Sequence, residues 1–560
     1  LVLIFTSSTA VEQFYPTQHR PPHQQLPSLK TPHFQLVYSK GNDSLAYQMG
    51  QILEEHYGQT KKLVGGKLNS FPVVLNDYND RSNGFVTAFH FRSEIELPPI
   101  KGKSLNPQTG NWLENVGPHE LVHAMQLNNL GDYNIPRLTS IFSPDLARSF
   151  HSAIPLGMLE GIAVHHETKN VAPDGGRGNY PIFTNQFDAT FTSSQQWSMG
   201  QLFQTSSNTR PFARHYIGGY EFTNWLHKQY GSETTKEALD FYMDFPFFGY
   251  GMALRHSTGE WPAELYDQFE QEKERSLQKL SSSDAQSGIL SMPFDGRNVR
   301  RPQWLSDSEL IFYGSFYNAR SGFYTYNLAT NDLNRVLTSN SVGDYRYDLS
   351  ADKSNMVYSY YETDPIYDNT AKAELVEYNL DTNKSEQLTK NGRTYAPVYS
   401  GDSLLALQTK PASSRLVSVH RSRTTSADVK NQVSLGEHQI IAVAQNPTAD
   451  QLAVVVNKRG MQALWIVKPE NLEQQLQQKP TVAFDGGSIF DPDWHPDGQK
   501  LLFSSDFSGT QQLYEYDVTE QTVKQITNST YSVFEGSYSP GGDRIAFVKQ
   551  VTNERLPAIL

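Results

Sequence analysis

Six short turn-forming segments recur through the second half of this chain, and their spacing constrains the fold more than any other feature. Trp304-Leu-Ser-Asp307, Asp348-Leu-Ser-Ala-Asp352, Tyr399-Ser-Gly-Asp402, Asn446-Pro-Thr-Ala-Asp450, Trp494-His-Pro-Asp-Gly498 and Tyr538-Ser-Pro-Gly-Gly-Asp543 follow one another about every 45 to 50 residues, the period of a four-stranded propeller blade. Each leads into a short apolar run, from Leu310-Ile-Phe-Tyr313 in the first to Ile545-Ala-Phe-Val548 in the last. A later strand ends in Tyr324-Thr-Tyr-Asn-Leu328, Glu377-Tyr-Asn-Leu380 or Tyr514-Glu-Tyr-Asp517, followed by Val336-Leu-Thr, Gln387-Leu-Thr or Gln525-Ile-Thr. Short apolar runs bounded by Gly, Pro, Asn and Asp read as strands and tight turns. The stretch 395–435 fits the repeat poorly. Because the sixth repeat reaches Leu560 soon after its first strand pair, the ring is expected to be incomplete, which leaves blade faces without neighbours.

The first half has another grammar. From Asp43 to about Leu63, Leu45, Met49, Ile52 and Leu53 recur at helical spacing. Phe71-Pro-Val-Val-Leu75 and Gly84 to Phe91 read as strands separated by a polar turn, and helical patterns then run from Asn111 to about Leu280. The polar segment Ser281 to Gly288 is the expected domain boundary. The predicted organisation is therefore multidomain: an α+β domain over 36–285 and an all-β propeller over 290–560. Ahead of them, 11–35 is rich in Pro, Gln and His and reads as an extended leader. Leu1-Val-Leu-Ile-Phe5 followed by Thr6-Ser-Ser-Thr-Ala10 resembles the end of a signal peptide, so 1–10 is taken as its remnant and a secreted or periplasmic location is expected. No later stretch approaches the roughly 20 apolar residues of a membrane span.

The chain has no cysteine, which excludes thiolate metal sites and Cys nucleophiles, so any metal must sit on His, Asp or Glu. A formal net charge of -12 argues against a nucleic-acid surface, which needs clustered Lys and Arg.

One motif carries chemistry: His119-Glu120-Leu-Val-His123. On a helix, residues four apart share a face, so the two imidazoles reach one Zn²⁺ with Glu120 beside them. Leu121, Val122, Ala124 and Met125 supply the apolar side of a buried helix, and Pro118 suits a first turn. A catalytic zinc takes three protein ligands and keeps one position open. Pro155-Leu-Gly-Met-Leu-Glu-Gly-Ile-Ala-Val-His-His-Glu167 supplies the candidates, Glu160, His165 and His166.

These segments resemble two known families. The second half, over about 290–560, is similar to the TolB-like propeller repeat, best in Phe490 to Ser505. The first, over about 40–280, resembles the gluzincin, or peptidase MA-like, zinc metallopeptidases, in which a second helix carries Glu-Gly-x-Ala with its Glu on the metal. That resemblance implies Glu160 as third ligand with His119 and His123, one zinc per chain and Glu120 as general base. In Arg214-His-Tyr-Ile-Gly-Gly-Tyr220 it implies Tyr216 as the oxyanion donor, with Tyr220 and His215 as rivals. It further implies that the strand at Gly84 is the edge lying above the metal, a site for an extended peptide. The chain has no Gly-x-Met-Glu-Asn segment of the aminopeptidase kind, which favours endopeptidase or oligopeptidase action. The competing expectations are an inactive zincin-propeller scaffold that binds protein partners, and a hydrolase of non-peptide bonds. Since every proposed catalytic residue precedes Ser281, the first half is expected to act alone on short peptides.

Overall fold

A computed structural model describes residues 21–560 apart from 104, 193–194, 205–209, 278–287, 368–369, 402, 420–428 and 437. The signal-like segment and most of the expected linker lie outside the described residues.

The first half is built on a mixed five-stranded sheet whose spatial order is β1 (Ser28–Lys30), β2 (Phe34–Tyr38), β3 (Phe71–Asn76), β5 (Arg92–Glu96) and β4 (Gly84–Thr87). β2, β3 and β5 run parallel, while β1 and β4 are antiparallel edges. Helix α1 (Asp43–Val64) turns Ala46, Met49, Ile52 and Leu53 inward, where they join Leu36, Val73 and Ile95 of the sheet and Leu121, Val122 and Met125 of α2 (Trp112–Leu127) in one core. Burying each such side chain contributes about 1.5–3 kcal/mol.

Two expected boundaries shift. The leader does not extend to residue 35, because the alternating Phe34-Gln-Leu-Val-Tyr38 forms an interior strand with β1 paired beside it; the neighbouring prolines masked that alternation. The strand from Gly84 ends at Thr87 rather than Phe91, since the chain turns back through His90, at φ 49°, into β5. Among the described residues, no helix is long and apolar enough to cross a membrane.

The second half is a ring of six blades. The first five occupy 298–338, 347–387, 394–434, 439–483 and 489–525, and the sixth begins at Val533. The recurring segments are the first hairpins of successive blades, and their side chains tie blade to blade. Trp304 and Trp494 donate indole N–H to the carbonyls of Ser537 and Ala444 in the preceding blades, at 3.1 and 3.2 Å. Asp348 and Asp493 accept the backbone N–H of Tyr399 and Tyr538 in the following blades, at 2.7 and 2.9 Å. The stretch 395–435 is the third blade, its first strand pair interrupted by a register shift between Tyr395 and Val398.

The ring is closed, which corrects the expectation of an incomplete propeller. The sixth blade takes three strands from 533–559 and a short fourth from the segment ahead of the first blade. Ile289 bridges Ala558 antiparallel, Leu290 N–H donates to the Pro557 carbonyl and Ile559 N–H to that of Gly288, each at 2.9 Å. A repeat traced from its anchors counts only strands that follow an anchor, so this strand escaped it. Ala546 of the sixth blade packs with Val299 and Phe312 of the first, completing the circle.

Two loops of the first half lie on the propeller. Asp80 donates its N–H to the Ala371 carbonyl at 2.8 Å, accepts from Ala373 N–H at 3.0 Å and pairs with Arg393 at 2.6 Å. In the β5 to α2 loop, Leu97 and Pro107 accept from Ala412 and Asn457 at 2.9 and 2.8 Å. The same loop sends Lys103 into the ring to meet Asp491 at 2.8 Å, Glu535 at 2.9 Å and Asp344.

Candidate metal centre

α2 starts at a capping box: the Asn111 side chain accepts from the Leu113 and Glu114 N–H groups at 2.9 and 3.1 Å, and Glu114 returns a bond to Asn111 N–H at 3.0 Å. Pro118 therefore lies inside the helix, not in its first turn, and leaves the Glu114 carbonyl without its helical donor, a loss of about 3 kcal/mol in an ordinary helix. One turn on, His119 and His123 share a face, with ring centroids 4.8 Å apart and Nε2 atoms 3.2 Å apart.

Glu160 comes from α3 (Leu156–Asn170). Its Oε2 lies 3.0 Å from His123 Nε2 and 3.3 Å from His119 Nε2, so three ligand atoms form a nearly equilateral triangle. Tetrahedral coordination at 2.0–2.1 Å spaces ligand atoms about 3.3 Å apart, so the donor set fits zinc in both type and spacing. The electrostatics agree. Burial opposes charge on His123, but the Glu160 carboxylate outweighs it and raises the imidazole to about 9. Burial likewise opposes ionisation of Glu160, yet the two imidazoles hold it well below the usual carboxylate range. The site favours positive charge at the point where the three atoms converge.

The outer faces of the imidazoles are also held. His119 Nδ1 lies 3.1 Å from Glu167 Oε2, and His123 Nδ1 lies 3.0 Å from Gln126 Oε1. With a proton held on each Nδ1 by these outer contacts, both Nε2 atoms face Glu160, to which they donate when protonated; loss of that second proton would leave the lone pairs directed to the point where the three atoms converge. Glu167 is gripped in turn by Arg177, through Nε at 2.7 Å, Nη2 at 2.9 Å and the backbone N–H at 3.0 Å. Burial alone would raise Glu167, but Arg177 and His119 hold it down to about 2. Sequence reasoning missed Glu167, Gln126 and Arg177. The signal for Glu167 was its place two turns beyond Glu160, on the same helical face; nothing marked Arg177.

Glu120 faces a cavity of about 130 Å³ whose walls include Gly84, Ile100, Leu105, Trp112, Val116 and Tyr216. Its Oε2 is buried without a hydrogen-bond partner among the described residues, and burial pushes its pKa up. A buried carboxylate oxygen needs a donor, which a water held by a metal on the three converging atoms would provide. The edge strand β4 reaches this carboxylate because residue 84 is glycine: a Cβ there would meet Val116 Cγ2 at 2.5 Å and Glu120 Oε1 at 2.9 Å.

Tyr216 arrives on α4 (Arg214–Tyr230), which crosses α3 backbone against backbone. A Cβ on Gly161 would stand 2.2 Å from the carbonyl carbon of Gly219, so neither position admits a side chain. The Tyr216 ring lies 6.3 Å from that of His119 and 5.0 Å from the Arg177 guanidinium. The Glu160 carboxylate, reinforced by burial, pushes its phenol well above the usual value, so the O–H stays a donor. Tyr220 is packed away against Gly178, and His215 is buried with Nδ1 unbonded among the described residues. His165 and His166 stay outside the centre: the first lies 3.1 Å from His227, the second 3.3 Å from Thr60.

The class defined by the fold is an α+β domain carrying a C-terminal TolB-like β-propeller; residues 423–558 match the TolB beta propeller domain model. Among curated proteins, the chain is 28% identical over 99 residues to the Tol-Pal system protein TolB of Anaeromyxobacter dehalogenans, covering 18% of this chain and 21% of that protein. The TolB of Anaeromyxobacter sp. strain K matches to the same extent. The chain thus spans about one fifth of the length of the curated relatives it matches. Among solved structures, TolB from Acinetobacter baumannii is similar with a TM-score of 0.35 and 14% identity, covering 43% of this chain and 57% of that one.

Proposed function

We propose that this chain hydrolyses peptide bonds with one zinc ion held by His119, His123 and Glu160, in the manner of the gluzincins. The observation that carries the reading is the convergence of three ligand atoms, 3.0 to 3.3 Å apart, beside a buried Glu120 oxygen without a partner. Bound zinc supplies Lewis acidity, polarising the scissile carbonyl and acidifying the attacking water. Glu120 takes the water proton and passes it to the leaving nitrogen; its raised pKa suits a group that must both accept and release a proton. Tyr216 donates its O–H to the developing oxyanion. A peptide laid along β4 as an added strand passes over Glu120, because Gly84 brings that edge close. A secreted or periplasmic location belongs to the same reading and rests on Leu1 to Ala10 alone.

The alternative is a zincin-like scaffold without turnover, with the propeller as a surface for protein partners. The intact base beside a full ligand set weighs against it, because a scaffold has no physical need of Glu120. The deciding experiment is metal analysis of protein purified without added metal, together with a chelator-reversible peptidase assay on the wild type and Glu120→Gln. One zinc in both proteins, with turnover lost only in the variant, supports the proposal. Zinc-loaded wild type that cleaves no peptide in a broad substrate set moves the function to the scaffold.

A further inference from the structure

The propeller ring encloses a second, much larger cavity, about 1140 Å³, walled by the first hairpins of the blades and floored by charged side chains. It shares no lining residue with the cavity over Glu120. Four cations, Lys103, Arg300, Arg301 and Arg346, are ion-paired at its floor with three carboxylates, Asp344, Asp491 and Glu535. Behind the floor, half-buried Arg555 donates to Gln550 at 3.2 Å, and burial with repulsion from Arg300 lowers it to about 10. Four cations against three carboxylates leave the floor one negative charge short; Asp348 and Asp493 also line the cavity, but burial disfavours their charge, raising them to about 6 and about 7, and each is engaged by a backbone N–H, of Tyr399 and Tyr538. Buried cations are tolerated when paired and hydrogen-bonded, so an excess of this kind calls for an anion.

The shortage is localised. Arg301 is fully engaged, with Asp344 at 2.7 Å and Asp491 at 2.7 Å. Arg346 is not: its guanidinium, only 14% exposed, makes a single 3.3 Å contact with an Asp491 oxygen that Lys103 and Arg301 already hold at 2.8 and 2.7 Å. Among the described residues no further partner takes its remaining N–H groups, and the side chain lines the cavity. A planar guanidinium with free N–H groups suits a carboxylate held by two parallel bonds.

We propose that the propeller channel binds the C-terminal carboxylate of a peptide on Arg346. The volume favours a chain over a small ion, since 300–1000 Å³ already encloses a drug-sized ligand. The mouth refines the class: exposed Asp352 and Asp450 line it against a single cation, Lys353, so residues preceding the carboxylate are neutral or basic. The carboxylate passes between those acids and comes to rest on the cation-rich floor.

The test measures binding of N-acetyl-Gly-Lys-Gly-Gly to the full chain, as free acid and as C-terminal amide, with acetate and inorganic phosphate in parallel. It is done in the Glu120→Gln background, so that turnover at the proposed metal centre cannot consume the probe. The acid is expected to bind at least about tenfold more tightly than the amide, the size of one charge-assisted pair. Arg346→Gln should abolish that preference, and Arg346→Lys should keep part of it. Circular dichroism and the melting temperature confirm that each variant is folded. Equal binding of acid and amide, no binding of either, or an acid preference that survives Arg346→Gln overturns the proposal. Acetate or phosphate binding as tightly as the acid overturns the assignment to a chain terminus.

Discussion

Lys103 donates to Asp491 at 2.8 Å across the two halves of the molecule, and the loop that carries it also supplies Ile100 and Leu105 to the cavity over Glu120. The wall of the candidate cleft is therefore held in place by the propeller. Residue order gave the expectation that an N-terminal fragment acts alone on short peptides; this tie predicts a loss instead. Lys103→Met is expected to leave bound zinc unchanged and to lower kcat/KM on a short peptide by about 10²-fold, the effect of roughly 1 Å of misplacement at a reacting centre. A fragment ending near Gly288 should bind zinc and show at least the same loss. Full activity of both on short peptides would return the propeller to a role in large substrates only.

Glu167 holds His119 through Nδ1, on the side away from the proposed metal position. Glu167→Gln should weaken zinc binding by about 10- to 100-fold, as for other carboxylates behind a ligating imidazole. Competition with a chromogenic chelator reads the affinity directly. Unchanged affinity would leave Glu167 as a structural partner of Arg177 alone.

For Tyr216, replacement by Phe keeps the ring against His119 and Arg177 and removes only the O–H. Turnover should drop about 10²- to 10³-fold with KM little changed, the usual size for one oxyanion donor. A variant with wild-type kcat would transfer the role to His215, since Tyr220 is packed away from the cleft.

Asp493, half-buried in the channel wall, is raised to about 7, burial outweighing the hydrogen bond from Tyr538 N–H. An unfolded aspartate titrates near pH 4, so between about pH 4 and 7 the folded chain holds a proton that the unfolded chain has released. Stability is therefore full at the acid end of that window and declines as pH rises through about 7. Asp493→Asn keeps an acceptor for Tyr538 and removes the titration. Its melting temperature, followed from pH 4 to 8, should decline less than that of the wild type; parallel curves would assign the pH dependence elsewhere.

Residue order by itself determined the elements and the facing histidine pair. Amphipathic spacing marked α1, the period of the hairpin anchors marked the blades, and four-residue spacing put His119 and His123 on one helical face, because these signals are local and short-range geometry is set by the backbone. What only the tertiary structure decided lies between segments far apart in the chain. The closing strand at Ile289 meets Ala558 across the whole propeller, Glu167 meets His119 across two helices, and Lys103 meets Asp344 across the domain boundary. None of these carries a local pattern, since the partner that gives each residue its meaning is supplied by packing: burial of charge forces Lys103 and Glu167 to find counter-charges wherever the fold delivers them.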